Sequence, residues 1–475
     1  MDRHLFVVLG ATGDLTTRKL LPALYDLMRS DAAACIVLGG ATRPLGDDGY
    51  RTVAVDALTG AGVAKAAAAS WTADHVFYER VERDGPYDAL ARRIAGLEAD
   101  LDLPGNRVLY LAVPPEIVPD AVARLGAAGL ADSPGWTRLV VEKPFGRDLA
   151  SARDLNRLIH SHFPEDAVYR IDHYLGKETV QNLLVFRFGN PIFESSWNRD
   201  RIERVEITVA ESIGVGTRGA HYDDIGVLRD MVQSHLTQIL TLVAMESPTD
   251  FTAGDVRDEK VKVLRSVHPI DPDHVVLGQY RSGADAGSDL ADYRDAGGVE
   301  PGSTTPTFAA IRLSIDNWRW QGVPFLLRTG KGLARRQTQV AVTFRSPPVC
   351  LFHGAPDGCM SEGNVLCVTL QPDEGFSLVI EVKEPGDPFR LRRIPLHFSY
   401  ADAFGEIPDA YATLLTDVIE GDPTLFVRAD EVEESWRLYT PLLGPDLPVH
   451  PYEAGGWGPD EALRLLDGGH WATGE

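Results

Sequence analysis

The sequence predicts an α/β domain built on a doubly wound parallel sheet, followed by an α+β domain with a large, mainly antiparallel sheet. Three observations carry that expectation. Up to about residue 170, short apolar runs alternate with helical patterns, as βαβ units require. Beyond Tyr169 the apolar period changes to two, the mark of half-buried strands. A chain of 475 residues also exceeds what one core ordinarily holds. The domains are therefore expected at 1–170 and 171–475.

Leu5-Phe6-Val7-Val8-Leu9 reads as the first buried strand, being too short for a secretory core and lacking a small-residue cleavage site after it. Leu20 to Met28 has helical spacing. Cys35–Leu38, Val108–Val113 and Leu139–Val141 supply further strands. In the second part Val205, Ile207 and Val209 alternate with polar residues, as do Ile311, Leu313 and Ile315, and again Phe376, Leu378, Ile380 and Val382; helices should cover one face of their sheet. Residues 283–306, rich in Gly, Ala, Asp and Ser without periodicity, are expected to form a surface excursion. Between Val227 and Met245, apolar residues at helical spacing predict a helix, and His235 falls inside its apolar stripe, one turn from Met231 and from Ile239. The sequence holds no internal repeat.

A formal charge of −23 argues against nucleic-acid binding and against an anionic membrane surface, since both select a basic face. A phosphorylated substrate would then need its own local basic cluster. No run of eighteen uncharged apolar residues occurs. Cys35, Cys350, Cys359 and Cys367 show neither C-x-x-C spacing nor an accompanying histidine pattern, so they read as reduced thiols of a cytoplasmic protein rather than zinc ligands.

Gly10-Ala11-Thr12-Gly13-Asp14-Leu15 follows the first strand and precedes a helical pattern, the context of a phosphate-binding turn. Glycine lets the backbone approach a pyrophosphate, whose charge is met by N–H groups at the helix start. The domain is thus expected to be of the Rossmann type. The strand from Ile36 should end where the adenosine ribose lies; Arg43 there can neutralise a 2′-phosphate and favours NADP, with NAD possible. The stretch Arg170-Ile171-Asp172-His173-Tyr174-Leu175-Gly176-Lys177-Glu178 carries the equipment for gripping a phosphate beside an acid–base group. His173, Tyr174 and Lys177 can donate to phosphate oxygens, whereas Asp172 can only accept and is better placed to orient an imidazole.

These motifs resemble those of the glucose-6-phosphate dehydrogenase family. RIDHYLGKE looks like its signature, and Gly10–Tyr25 is similar to the family's G-A-S-G-D-L-A-K-R-K-L-x-P-A-L-Y, with Lys19 matched and Thr17 replacing a usual lysine. Leu109–Pro115, Glu142-Lys143-Pro144-Phe145-Gly146, Arg229–Leu236, Gly322–Lys331, Pro408–Tyr411, Leu425–Arg428, Glu434–Arg437 and Trp457–Pro459 extend the likeness over nearly the full length. The resemblance implies that His235 is the general base that takes the O1 proton while hydride leaves C1 of a pyranose, with Asp172 fixing its tautomer. It assigns His173, Tyr174 and Lys177 to the 6-phosphate of glucose 6-phosphate. Lys143, Glu211, Asp230 and Lys331 fall to sugar hydroxyls or nearby contacts, and Lys143 and Pro144 also to the nicotinamide region. Arg336 stands where a second basic residue is usual, and Arg328, Lys331, Arg335 and Arg336 are expected to form a phosphate-facing wall. Thr42, rather than Arg43, occupies the place of the family's 2′-phosphate arginine. His221 and Ser234 replace a usual tyrosine and asparagine. No metal is expected, since the imidazole supplies the base and nicotinamide takes the hydride. A homodimer or homotetramer is implied. The competing readings are a two-domain sugar oxidoreductase of the glucose–fructose oxidoreductase type, which lacks reason to carry RIDHYLGK, and a catalytically weak regulatory paralogue.

Overall fold

The computed structural model describes residues 2–30, 35–283, 288–349, 351–352, 363–386, 389–405, 409–444 and 446–472. They form two compact units: Met1–Gly176 with Asp250–Arg257 and Pro408–Glu433, and Lys177–Thr249 with Asp258–Ile407 and Glu434–Glu475.

The first unit is built on six strands: β1 (His4–Leu9), β2 (Cys35–Ala41), β3 (Val76–Arg80), β4 (Arg107–Leu111), β5 (Thr137–Glu142) and β6 (Val168–Ile171). Their order is β3-β2-β1-β4-β5-β6, and every neighbouring pair is parallel. The order reverses at β1/β4, the switch point where doubly wound sheets open a crevice for a ligand. Strands β1, β2 and β4 are buried along their whole length. Helices on both faces of a parallel sheet require this, and it is why these strands read as unbroken apolar runs. The core of this unit includes Phe6, Val37, Tyr110, Val140 and Tyr169 together with Leu414, Leu415, Val418 and Phe426 from far along the chain. The helix Ala410–Glu420 that carries three of the latter ends on Gly421 at φ 86°. The Arg138 guanidinium closes that end, donating to the carbonyls of Val418 at 2.8 Å and Ile419 at 2.6 Å.

The second unit holds β7 (Ile202–Ala210), β8 (Val275–Arg281), β9 (Phe308–Ser314), β10 (Pro324–Gly330), β11 (Gln337–Phe344), β12 (Val365–Gln371), β13 (Gly375–Lys383), β14 (Leu391–Ser399) and β15 (Val449–Glu453). They make one sheet in the order β14-β13-β12-β11-β7-β10-β9-β8-β15. The β7/β10 and β8/β15 pairs are parallel and the others antiparallel. The helical stretch predicted from Val227 runs as a π-helical segment, Leu228–Leu236, continued by the α-helix Thr237–Ala244.

Residues 283–306, apart from 284–287, which lie outside the described residues, run mostly at the surface as expected, but the stretch is anchored to the core. Tyr293 is fully buried in the core of the second unit. Its hydroxyl donates to Asp223 at 2.8 Å, and Gln279 Nε2 donates to the carbonyls of Ser303 and Thr305 at 3.0 Å each. One aromatic anchor among polar residues is too little for a periodicity argument to detect. Cys35 is buried, while Cys350 and Cys359 lie outside the described residues. Among the described residues no helix is long and apolar enough to cross a membrane.

Candidate functional site

In the first unit the turn after β1 is shaped by close approach. Gly10 has φ 93°, and a Cβ there would lie 2.0 Å from the Ala112 carbonyl oxygen, so the position demands glycine. Its N–H and that of Ala11 donate to the Gly40 carbonyl at 2.8 and 3.2 Å, and the Gly13 N–H closes the turn on the Gly10 carbonyl at 2.9 Å. Thr16 adds a hydroxyl bond to the same carbonyl at 3.1 Å. Thr12, Gly13 and Leu15 remain partly accessible and Asp14 exposed at the helix start, while Ala11 is buried. The Thr17 hydroxyl is engaged by its own helix, donating to the Gly13 carbonyl at 3.1 Å. Thr42 and Arg43 follow β2 and are both exposed. A glycine turn at a helix start, at the switch point of the sheet, fits a dinucleotide pyrophosphate.

Strand β5 delivers Glu142, and Lys143–Pro144 follows as a cis peptide. The Glu142 carboxylate accepts from the Tyr110 hydroxyl and from the Tyr411 hydroxyl at 3.3 Å. Burial pushes it up to about 7, because these bonds and the charge of Lys143 only partly offset the lost solvation. Lys19 donates to Asp409 at 2.7 Å. Burial raises the Asp409 carboxyl, but Lys19, the Tyr411 N–H and the charge of His173 outweigh it and hold it below its ordinary value.

Beyond β6, the Asp172 side chain is buried and accepts the Tyr174 N–H at 3.0 Å, which locks the turn. Tyr174 is buried and His173 partly accessible, their rings 5.1 Å apart. Arg170 is no ligand-facing cation. It is buried, donating to Glu165 at 2.7 and 3.1 Å and to Asn156 at 3.1 Å.

In the second unit Lys177 precedes the helix Glu178–Phe188. Its Nζ and the Arg336 guanidinium converge on one acceptor, Gln371 Oε1, at 2.6 and 3.1 Å. Two cations on a single neutral oxygen is an arrangement suited to an anionic oxygen. Lys331, at the end of β10, donates to Glu211 at 2.6 Å, lies 3.6 Å from Asp230 and sits 5.0 Å over the Tyr222 ring. His235 is buried on the π-helical segment, and the Ser234 hydroxyl bonds back to the Asp230 carbonyl at 3.1 Å. His221 is exposed.

The expected basic wall divides. Arg328 is buried between the rings of Trp457 and Trp471, 4.8 and 4.3 Å from their centroids. Lys331 faces carboxylates, and only Arg335 and Arg336 are exposed. Two indoles enclose Arg328, which a count of charges could not reveal. Glu142 and Gln371 are polar partners that residue-type reasoning passed over. Glu142 stood next to the quoted lysine, whereas nothing local marks Gln371.

A family model described as the glucose-6-phosphate dehydrogenase NAD binding domain matches residues 7–182, and one for the glucose-6-phosphate dehydrogenase C-terminal domain matches 184–472. The chain belongs to the glucose-6-phosphate dehydrogenase family. It is 43% identical over 474 residues to a glucose-6-phosphate 1-dehydrogenase of Aggregatibacter actinomycetemcomitans, covering 97% of this chain and 95% of the relative. Against that of Rhizobium meliloti it is 43% identical over 487 residues, covering 98% and 97%. A solved glucose-6-phosphate dehydrogenase in complex with its substrate glucose 6-phosphate superposes with a TM-score of 0.91 at 36% identity over 99% of each chain. The corresponding enzyme from Mycobacterium avium gives 0.85 at 35%, again over 99% of each chain. Both family halves are present, so the reading as a glucose–fructose oxidoreductase relative is set aside.

Proposed function

We propose that the chain oxidises β-D-glucose 6-phosphate at C1 to 6-phosphoglucono-1,5-lactone with NADP(+), the entry to the oxidative pentose phosphate route. The observation that carries this reading is the full-length match to glucose-6-phosphate dehydrogenases. The convergence of Lys177 and Arg336 on one acceptor oxygen supports it as a place for the 6-phosphate. In this reading 1–170 serves the dinucleotide and 171–475 the sugar phosphate.

His235 takes the O1 proton, a task for a base that titrates near neutral pH. Asp172 orients that imidazole and steadies its charge as it forms. His173, Tyr174 and Lys177 hold the 6-phosphate, and Arg336 extends the basic grip. Lys331, with Glu211 and Asp230 about it, and Lys143 meet sugar hydroxyls. Gly10 through Leu15 receive the pyrophosphate, Lys143 and Pro144 border the nicotinamide, and Thr42 and Arg43 meet the adenosine ribose. When bound, the nicotinamide supplies the hydride acceptor. A cytoplasmic location and a homodimer or homotetramer complete the proposal. Ile394 and Leu396, exposed on the edge strand β14, are suited to a subunit contact. Steady-state assays of the purified protein with glucose 6-phosphate, glucose and each of NADP and NAD test the reading: absence of reduced cofactor with glucose 6-phosphate would overturn it.

A further inference from the structure

Strand β3 pairs in parallel with β2 so that Arg80 stands opposite Ala41. The end of β3 is therefore level with the end of β2, where a doubly wound sheet receives the adenosine ribose. Tyr78 and Arg80 share one face of β3 by the period of two, and both reach across to the turn after β2. The Tyr78 hydroxyl donates to the Ala41 carbonyl at 2.9 Å and also to that of Arg43. Arg80 Nε donates to the Thr42 carbonyl at 3.3 Å. One nitrogen of the guanidinium is thus fixed beside position 42. Among the described residues, neither the terminal nitrogens of Arg80 nor the Arg43 side chain make a hydrogen bond or ion pair, and both residues are exposed. Asp47, in the first turn of the helix Gly46–Gly60 that follows, is already engaged: it accepts from Arg93 at 2.7 Å and from the Tyr78 N–H at 2.7 Å. Two guanidinium groups with no ion-pair partner among the described residues therefore flank a threonine, in a chain whose formal charge is −23. That local excess of positive charge calls for an anion.

We infer that Arg80, reaching over from β3, acts with Arg43 to clamp the 2′-phosphate of NADP, supplying from the neighbouring strand the guanidinium that position 42 lacks. The inference rests on the proposed dinucleotide role of this unit. It makes Arg80 a determinant of NADP over NAD, since the two cofactors differ only in that phosphate.

The test is calorimetric titration of the full-length protein with 2′,5′-ADP, which carries the 2′-phosphate, and with 5′-AMP, which does not. Arg80→Gln should lower the ratio of the two affinities about 10- to 100-fold, the loss of charge-assisted hydrogen bonds. Arg80→Lys, which keeps the charge but not the fork, should fall between the variant and the wild type. The ratio of kcat/KM for NADP to that for NAD should move in parallel. Equal losses for both nucleotides would overturn the inference in favour of a role confined to tying down the Thr42 carbonyl. So would an unchanged ratio in both variants. If the wild type binds neither nucleotide, the dinucleotide reading itself fails, an outcome distinct from a selective failure at Arg80.

Discussion

Replacing Glu142 with glutamine should flatten the dependence of stability on pH. The carboxyl is enclosed by Tyr110 and Tyr411 and pushed from an ordinary 4.5 up to about 7. An acid whose folded value is raised binds its proton more tightly in the native state than in the unfolded one. The native state then holds more protons across this window, so stability is fully present below about pH 4.5 and declines as pH rises towards about 7. At about 1.4 kcal/mol per pH unit, the displacement converts to about 3 kcal/mol lost by neutral pH. Glu142→Gln keeps an acceptor for the two phenols but cannot ionise. Urea unfolding of both proteins between about pH 5 and about pH 8.5 isolates the effect, because other titrating groups cancel in the difference. The variant should gain on the wild type with rising pH, the gain levelling above about pH 7. Curves that stay parallel throughout would refute the assignment of a neutral buried carboxyl.

Arg170→Met should destabilise the protein by about 3 kcal/mol, because Glu165 loses its buried guanidinium partner and Asn156 the donor to its side-chain oxygen, and a denaturant midpoint reads it directly. Gly10→Ala should cost at least about 2 kcal/mol and abolish nucleotide binding, since φ 93° and the Ala112 carbonyl both reject a Cβ; a melting curve with a nucleotide titration checks both. His235→Asn should cut kcat by about 100- to 10,000-fold while the Kd for glucose 6-phosphate holds, and near-normal turnover would remove His235 as the base. Lys177→Ala should weaken glucose 6-phosphate about 10- to 100-fold and free glucose far less, because its Nζ is proposed to meet only the phosphate. Equal losses would mean a structural role.

Much of the fold was legible because its signals are local. The unbroken apolar runs of β1, β2 and β4 report burial on two faces, and the period-two runs mark strands at β7 and β13, although β7 is buried on both faces from Val205 onward and β13 is half-buried along most of its length rather than on one face. The turn at Gly10 was legible for the same reason: it needs a glycine at a set distance from a strand end. What the sequence hid depends on pairings between distant residues. Arg170 looks like one more cation in a charged motif, and only the return of Asn156 and Glu165 around it makes it a core residue. Arg80 carries no motif, and its meaning appears once β3 is laid beside β2. Arg328 is told apart from Arg336 only by the indoles that enclose it. Tyr293 is a lone aromatic in a polar stretch, and no window average registers one side chain.

The helix Ala410–Glu420 belongs to the first unit, although more than two hundred residues separate it from Gly176. Leu414, Leu415, Val418 and Phe426 complete a core whose other members are made first. At a synthesis rate of about 5–20 residues per second, a ribosome needs on the order of ten seconds to a minute to reach them. During that interval the nascent sheet carries Tyr169 and Ile171 without part of their apolar cover, and the early half of the protein waits on the late half to finish it. A stop codon shortly before residue 410 would therefore deprive the cell of both units at once, leaving a nucleotide-binding sheet that cannot close over its own interior.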